Sequence, residues 1–310
     1  MRTNITVWLW CCVFVFHKNM HYEPLLADWC GNLVQTLIEK RMIVKEKIGE
    51  GFLDLRICDN LELMAEIEDN TVDLIYCDIL YGTGRKFKDY QDLKPKREII
   101  EDHYIPRIKE MYRILKDTGS IYLQMDTRIN HWMRCIIDDI FGYDNFRNEI
   151  SWRYKRWTMT SKNKWQNMHD VILMYGENNT VTEIREPILK PKKQNKNDGK
   201  GKSLRDANGD IVYHTQTDRI VDDVWDIPFL NPVSKERVGY DTQKPKELIE
   251  RIIKASSNEG DLVADFYSGS FTTAEVCKDL KRNFIGCDIN PSCLEKAKER
   301  GLFSFTDNNR

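Results

Sequence analysis

No Cys-x-x-Cys pair occurs among the nine cysteines of this 310-residue chain, which excludes zinc-ribbon and dithiol-redox patterns. Several of the thiols sit inside apolar runs, where they behave as small hydrophobes, and this usage fits a reducing cytoplasm. Neither charge is in excess. The 47 Lys and Arg stand against 49 Asp and Glu, a net charge of -2, so any attraction to nucleic acid must be local. Long hydrophobic runs are missing too: the stretch "ITVWLWCCVFVF" at residues 5–16 falls short of the ~20 residues that span a bilayer, and no small-residue cleavage site follows it. Residues 1–20 are read as an apolar extension: a buried strand, an interface segment, or chain upstream of a start at Met20. No membrane partner is expected. His17 and His21 share a helical spacing, but no metalloprotease Glu follows His17, so no metal site is expected.

What is present is a series of short apolar runs that end in acidic residues. "GFLDLRICDN" (51–60) and "TVDLIYCDIL" (71–80) read as strands joined by a helix-compatible stretch, a β-α-β unit. A helix near 98–116 leads into the strand "SIYLQMD", and Ile129, Trp132, Met133, Ile136, Ile137 and Ile140 mark one face of the next helix. From Glu149 the character changes. "ISWRYKRWTMTSKNKWQNMHDVILMYG" has two strand-like ends around a basic, aromatic centre, and 190–210 is too rich in Lys, Asn and Gly to pack. Regular α/β pattern returns at "KPKELIERIIKASS", which puts Leu248, Ile249, Ile252 and Ile253 on one helix face with Pro245 in the first turn. The chain is thus expected to divide into an extension (1–20), a first α/β half (21–150), an insertion with basic loops (151–240) and a second α/β half (241–310).

"DLVADFYSGSFTTAEVCKDLKRNFIGCDIN" gives strand, small-residue turn, helix and strand. Such a turn lets a ligand approach backbone N–H groups at a helix start, and Asp288 ends the next strand roughly 20 residues after Asp265, where an acid accepts hydrogen bonds from ribose hydroxyls. The turn is Ser-Gly-Ser-Phe rather than Gly-x-Gly-x-x-Gly, and no Walker lysine follows. An adenosyl group without phosphates fits better than a dinucleotide or a triphosphate.

These residues carry a family resemblance. "DFYSGSFTT" resembles the Asp-Pro-Phe-x-Gly-Ser-Gly-Thr-Thr motif of DNA amino-methyltransferases that use S-adenosylmethionine. "NFIGCDIN" is similar to the following strand motif, "DTQKPKELIERII" to the Thr-Gln-Lys-Pro helix, and "CDILYGTG" to the catalytic Asp-Pro-Pro-Tyr motif. Their order is that of the beta arrangement, and the segment 119–154 resembles adenine-modifying members. The resemblance implies a doubly wound, Rossmann-like α/β methyltransferase domain with a target-recognition insertion, acting on adenine N6 of double-stranded DNA within a restriction-modification system. It further implies a homodimer and a cognate restriction endonuclease as partners, and a mechanism that needs no metal.

By the same resemblance Asp78 and the carbonyl of Ile79 accept hydrogen bonds from the adenine amine, Leu80 completes the catalytic tip, and Tyr81 stacks on the extruded base. Asp59, Cys77, Asp78, Thr242, Gln243, Lys244, Asp265, Phe266, Tyr267, Gly269, Ser270, Thr272, Thr273 and Asp288 are implied to bind the cofactor. Ile79 and Leu80 replace two prolines, so the tip keeps its carbonyl and loses a backbone restraint. No Pro-Cys dipeptide occurs, which removes the C5-cytosine class. In the insertion, Arg153, Lys155, Arg156, Lys162, Lys164, Lys190, Lys192 and Lys193 interleave with Trp152, Tyr154, Trp157 and Trp165, the pattern of phosphate contacts with stacking surfaces. A cytosine-N4 enzyme, an RNA adenine methyltransferase and a catalytically weak DNA-binding subunit stay open at this stage.

Overall fold

Apolar runs become strands and amphipathic runs become helices throughout the residues that the computed structural model describes. These are 43–87, 90–156, 163–176, 185–198 and 200–303, with 185–194 and 214–218 described for their backbone alone. The extension 1–20, with His17, and also His21, lies outside the described residues. β1 (Ile43–Ile48) and β2 (Gly51–Ile57) form a hairpin. Next, α1 (Asn60–Met64) leads to β3 (Val72–Asp78), and α2 (Arg97–Ile114) to β4 (Leu115–Met125). After α3 (Asn130–Phe141) come β5 (Phe146–Arg153), β6 (His169–Tyr175), the paired strands β7 (Arg185–Asn195) and β8 (Tyr213–Ile220), and the short β9 (Val224–Asp226). The series ends with α4 (Lys246–Ser256), β10 (Leu262–Asp265), α5 (Thr272–Asp279), β11 (Asn283–Asp288) and α6 (Ser292–Glu299).

Nine strands make one sheet in the order β1-β2-β11-β10-β3-β4-β6-β5-β9, and β7 pairs only with β8. The strands from β2 to β4 run parallel, whereas β6 is antiparallel to both β4 and β5. Side chains alternate across each strand, so Leu74 and Tyr76 of β3 enter one core while Ile75 and Cys77 enter the other. The first core is covered by α4, α5 and α6, through residues such as Leu248, Val276 and Ala297. The second is covered by α1, α2 and α3, through Leu63, Tyr104 and Met133. Helices on both faces of a mostly parallel sheet are what buries strands that are apolar on both sides. Each fully buried Leu or Ile of α4 contributes about 1.5–3 kcal/mol to that packing.

The structure corrects three details. β2 and β3 do run parallel with α1 between them, but β11 and β10 separate them in the sheet, so the expected β-α-β unit is not a pair of neighbours. Pro245 precedes α4 with an extended ψ of 139° rather than lying in its first turn. The insertion drawn at 151–240 begins inside β5 and contains β6 and β9, all three of them strands of the main sheet. Their apolar faces explain why: Ile150, Trp152 and Ile172 fill one core while Val171 and Leu173 fill the other. The part of the segment that stands outside the sheet is the β7–β8 hairpin with its loop.

A parallel sheet collects the ends of its strands on one rim, and ligands of such sheets bind there, where the winding reverses. Asp78 ends β3, Asp265 ends β10 and Asp288 ends β11, and Asp59 follows β2 closely. Runs that end in acids are thereby gathered into one place.

Candidate active site

β3 and β10 are neighbours at the centre of the sheet, with Ala264 opposite Ile75. This register brings Asp78 and Asp265 to the same cleft, which Cys58, Asp59, Tyr81, Tyr240, Gly269 and Asp288 also line. Asp78 Oδ1 accepts from the Tyr81 hydroxyl at 2.9 Å, and its Oδ2 is ion-paired with Lys244 Nζ. Burial pushes the Asp78 carboxyl above the ordinary carboxylate range, and the Lys244 charge and hydrogen bond pull it back down. Lys244 Nζ also lies 5.1 Å from the centre of the Tyr81 ring. The lysine thus stands at the carboxylate of the Asp78–Tyr81 tip.

The tip is held without prolines. The Ile79 N–H donates to the Gln124 carbonyl at 3.1 Å, and the Leu80 carbonyl accepts from the Tyr104 hydroxyl at 2.9 Å. Gly82 takes a left-handed φ of 64°, which glycine adopts at little cost. Beyond it, the buried Asp92 accepts from the N–H groups of Gly82 (3.1 Å), Thr83 (2.7 Å) and Leu93 (2.8 Å), tying both ends of the loop to one carboxylate.

Across the cleft, buried Asp265 accepts from the Tyr267 N–H at 3.0 Å and the Thr273 hydroxyl at 2.6 Å. These two hydrogen bonds brace the turn, and burial pushes the carboxyl up to about 7. Asp288 Oδ2 accepts from the Gly269 N–H at 2.9 Å, which fixes the glycine turn against the end of β11. Gly269 has a φ of +50°, and a Cβ there would lie 3.0 Å from the Tyr240 ring. Phe271 stands where the resembled motif has its second glycine and holds a left-handed φ of 54°. A non-glycine residue loses about 1–2 kcal/mol there. Its buried ring, edge-on to Phe284 at 6.5 Å between centroids, offsets that cost.

The cleft brings together most of the residues expected to meet the cofactor: Asp59, Asp78, Thr242, Gln243, Lys244, Asp265, Phe266, Tyr267, Gly269, Ser270, Thr272, Thr273 and Asp288. Cys77 is the correction. It is fully buried on the face of β3 that enters the second core, and its Sγ accepts from the Phe266 N–H at 3.4 Å, so it packs beneath the site. Asp59 caps α1 through the Leu61 N–H at 2.9 Å and is also held by Arg107 at 3.0 Å. His103 contacts the Tyr267 hydroxyl at 3.1 Å, and burial followed by the nearby Arg107 charge lowers its titration to about 4, which keeps the ring neutral. Residues 103 and 107 were legible as an i, i+4 pair on a predicted helix; nothing in the sequence aimed them at this cleft. Among the described residues no group of three or more His, Cys, Asp or Glu could hold a metal ion, and no helix is long and apolar enough to cross a membrane.

The basic, aromatic segment is only partly as expected. Trp152 is buried, with its indole N–H donating to the Ile227 carbonyl at 2.8 Å, and Tyr154 is buried beside it, so both are core residues. Their spacing of two is the period of a strand with one apolar face. Arg153 forms a bidentate pair with Asp226 at 2.5 and 2.6 Å, and Arg156 stacks over the Tyr154 ring and donates to its hydroxyl at 3.1 Å. Lys155, Lys164 and Trp165 are exposed. Trp157 and Lys162 lie outside the described residues, and Lys190, Lys192 and Lys193 are placed on β7 by their backbone only.

A family model described as DNA methylase matches residues 72–299. A Type II methyltransferase M.HpaI of Haemophilus parainfluenzae is 32% identical over 246 residues, covering 79% of this chain and 73% of that protein. The DNA adenine methyltransferase YhdJ of Escherichia coli (strain K12) is 30% identical over 243 residues, 78% of this chain and 80% of that one. Among solved structures, the PvuII DNA methyltransferase (cytosine-N4-specific) aligns with a TM-score of 0.57 over 83% of this chain and 88% of its own, at 18% identity. That likeness concerns the fold alone.

Proposed function

The chain belongs to the N6/N4 DNA methylase family, and from that premise we propose that Asp78 is the acceptor carboxylate for an adenine amine extruded into the cleft beside β3 and β10. The protein is a DNA methyltransferase of the beta arrangement that uses S-adenosylmethionine and modifies adenine N6. The residues present suit that cofactor. A glycine turn with a positive φ leaves room for close backbone approach, Asp288 stands at the strand end where ribose hydroxyls are accepted, and Asp59, held by Arg107, lines the same cleft. When bound, the cofactor supplies an electrophilic methyl carbon on a sulfonium centre.

The protein's own contribution is to make a poor nucleophile competent. The exocyclic nitrogen of adenine shares its lone pair with the ring, and acceptors at its N–H groups favour a pyramidal nitrogen whose lone pair is free. Asp78 and the Ile79 carbonyl are those acceptors in our reading, and the Tyr81 ring supplies a surface for the extruded base. The single observation that carries this assignment is the adjacency of the Asp78 tip to the Gly269 turn across one cleft. The β7–β8 hairpin and the exposed Lys155 and Lys164 are assigned to DNA contact, and Arg153 is removed from that set by its pairing with Asp226. A cognate endonuclease sharing the same target sequence, and a homodimer, belong to the same proposal.

The test is incubation with unmethylated duplex DNA and donor labelled on its methyl group, followed by hydrolysis to nucleosides. Label is expected in N6-methyl-2′-deoxyadenosine; label in N4-methyl-2′-deoxycytidine overturns the choice of base. A second expectation concerns pH. Asp78 accepts most strongly as a carboxylate and on protonation gives up one oxygen to a donor O–H, so activity falls on the acid side as it protonates, and Lys244 holds that protonation down against burial. Lys244→Met removes the favourable charge and raises the Asp78 pKa. The acid limb of kcat/KM is therefore expected to move to higher pH, read directly from a pH–rate profile; an unmoved limb contradicts the pairing.

A further inference from the structure

Asp170 is the second residue of β6, on the same rim as the Asp78 tip, and it is 3% exposed. Its Oδ2 accepts from the Tyr81 hydroxyl at 2.7 Å and from Gln124 Nε2 at 3.2 Å, and its Oδ1 accepts from the Tyr154 hydroxyl at 2.7 Å. All three donors are neutral. Gln124, on β4 between β3 and β6, is oriented in turn by the Tyr76 hydroxyl, which donates to its Oε1 at 2.8 Å. Taking a carboxylate out of water costs several kcal/mol per ion, and an apolar side chain of similar volume would serve the fold at least as well. A fully satisfied buried polar network instead fixes one geometry.

What it fixes is Tyr81. The phenol has one proton and touches two carboxylates, Asp170 at 2.7 Å and Asp78 at 2.9 Å. If the hydroxyl donates to Asp78 Oδ1, it competes there with the adenine amine for the oxygen's acceptor capacity. We propose that Asp170 is a positioning residue that holds the Tyr81 hydroxyl, orienting the ring and leaving Asp78 Oδ1 open to the incoming base. It replaces, by a hydrogen bond from β6, part of the restraint that the two prolines would have given the tip. The inference rests on the reading of Asp78 as the acceptor.

The experiment is a double-mutant cycle between Asp170 and Tyr81. Asp170→Asn, which keeps the shape of the side chain, is expected to lower kcat about 10- to 100-fold, the scale of a small misplacement of a reacting group. Donor affinity should stay within about 2-fold, measured by titration calorimetry. Tyr81→Phe is expected to lose a similar factor, and Asp170→Asn placed in the Tyr81→Phe background should add less than about 2-fold, because the hydroxyl it acts through is gone. Asp170→Ala serves as the second variant, with its thermal melt checking that it folds. Equal slowing by Asp170→Asn in both backgrounds overturns the proposal, as does a wild-type rate for Asp170→Asn or for Tyr81→Phe. Failure of the underlying reading would look different: Asp78→Ala would then remain active whatever the cycle gave.

Discussion

Asp78→Ala is expected to lower methyl transfer on the order of 10²–10³-fold, the usual effect of deleting a preorganised group that meets developing charge. Donor affinity should change by no more than a few-fold, because Gly269, Asp288 and Asp59 hold the cofactor's side of the cleft through their own hydrogen bonds. The substitution also strands Lys244, whose side chain is 11% exposed and whose ionic partner is Asp78. Breaking one half of a buried pair costs about 3–5 kcal/mol, so the single variant should melt below the wild type. Asp78→Ala combined with Lys244→Met should recover much of that loss without recovering activity. Rates from labelled-donor assays and melts of the three proteins separate chemistry from folding. An Asp78→Ala enzyme that turns over at near wild-type rate ends the assignment of the acceptor.

Gly286→Val should have the second largest effect, on the cofactor side. Gly286 lies on β11 beside Asp265, and a Cβ there would sit 2.5 Å from the Asp265 carbonyl, 2.5 Å from the Phe284 ring and 2.6 Å from the Ser268 hydroxyl. Two of these neighbours cannot retreat cheaply. The carbonyl is backbone at the root of the glycine turn, and the Phe284 ring is fully buried. Overpacking of this kind costs typically 1–3 kcal/mol, occasionally more, and here the strain falls on the Asp265–Gly269 turn itself. Donor affinity is expected to weaken at least about 10-fold, alongside a lowered Tm, with circular dichroism still showing an α/β spectrum. Unchanged affinity by calorimetry would mean that the turn does not receive the donor.

The parts of this protein that announce themselves in sequence are those set by local physics. Acid-terminated strands, the amphipathic face of α4 and the small-residue turn after Asp265 are read from period and composition, and the order of the motifs supplies the rest of the assignment. The failures have physical causes. "SWRYKRW" alternates basic and aromatic residues, which suits a phosphate-tracking surface and equally suits a strand with one buried face; Trp152 and Tyr154 took the second course because β5 pairs with β6 inside the sheet. Cys77 precedes Asp78 yet faces the second core, since neighbours on a strand point to opposite sides. Asp170 and Asp92 were invisible because nothing local distinguishes an acid near the start of a strand or in a loop from a solvated one. Their roles come from Tyr81, Tyr154, Gln124 and the Gly82–Thr83 N–H groups, which the chain brings to them from 9 to 89 positions away.

The strand order carries a penalty for the chain as it leaves the ribosome. β2 and β3 emerge before β10 and β11 but are not partners; the places between them belong to those two later strands. With strands about 4.8 Å apart, the nascent sheet has a slot of roughly 14 Å between β2 and β3, bordered by unpaired main-chain groups. Closing it requires residues beyond 262 to slide in from about 180 or more positions further along the chain than β3, a non-local step that slows maturation and exposes apolar surface to chaperones and to other chains.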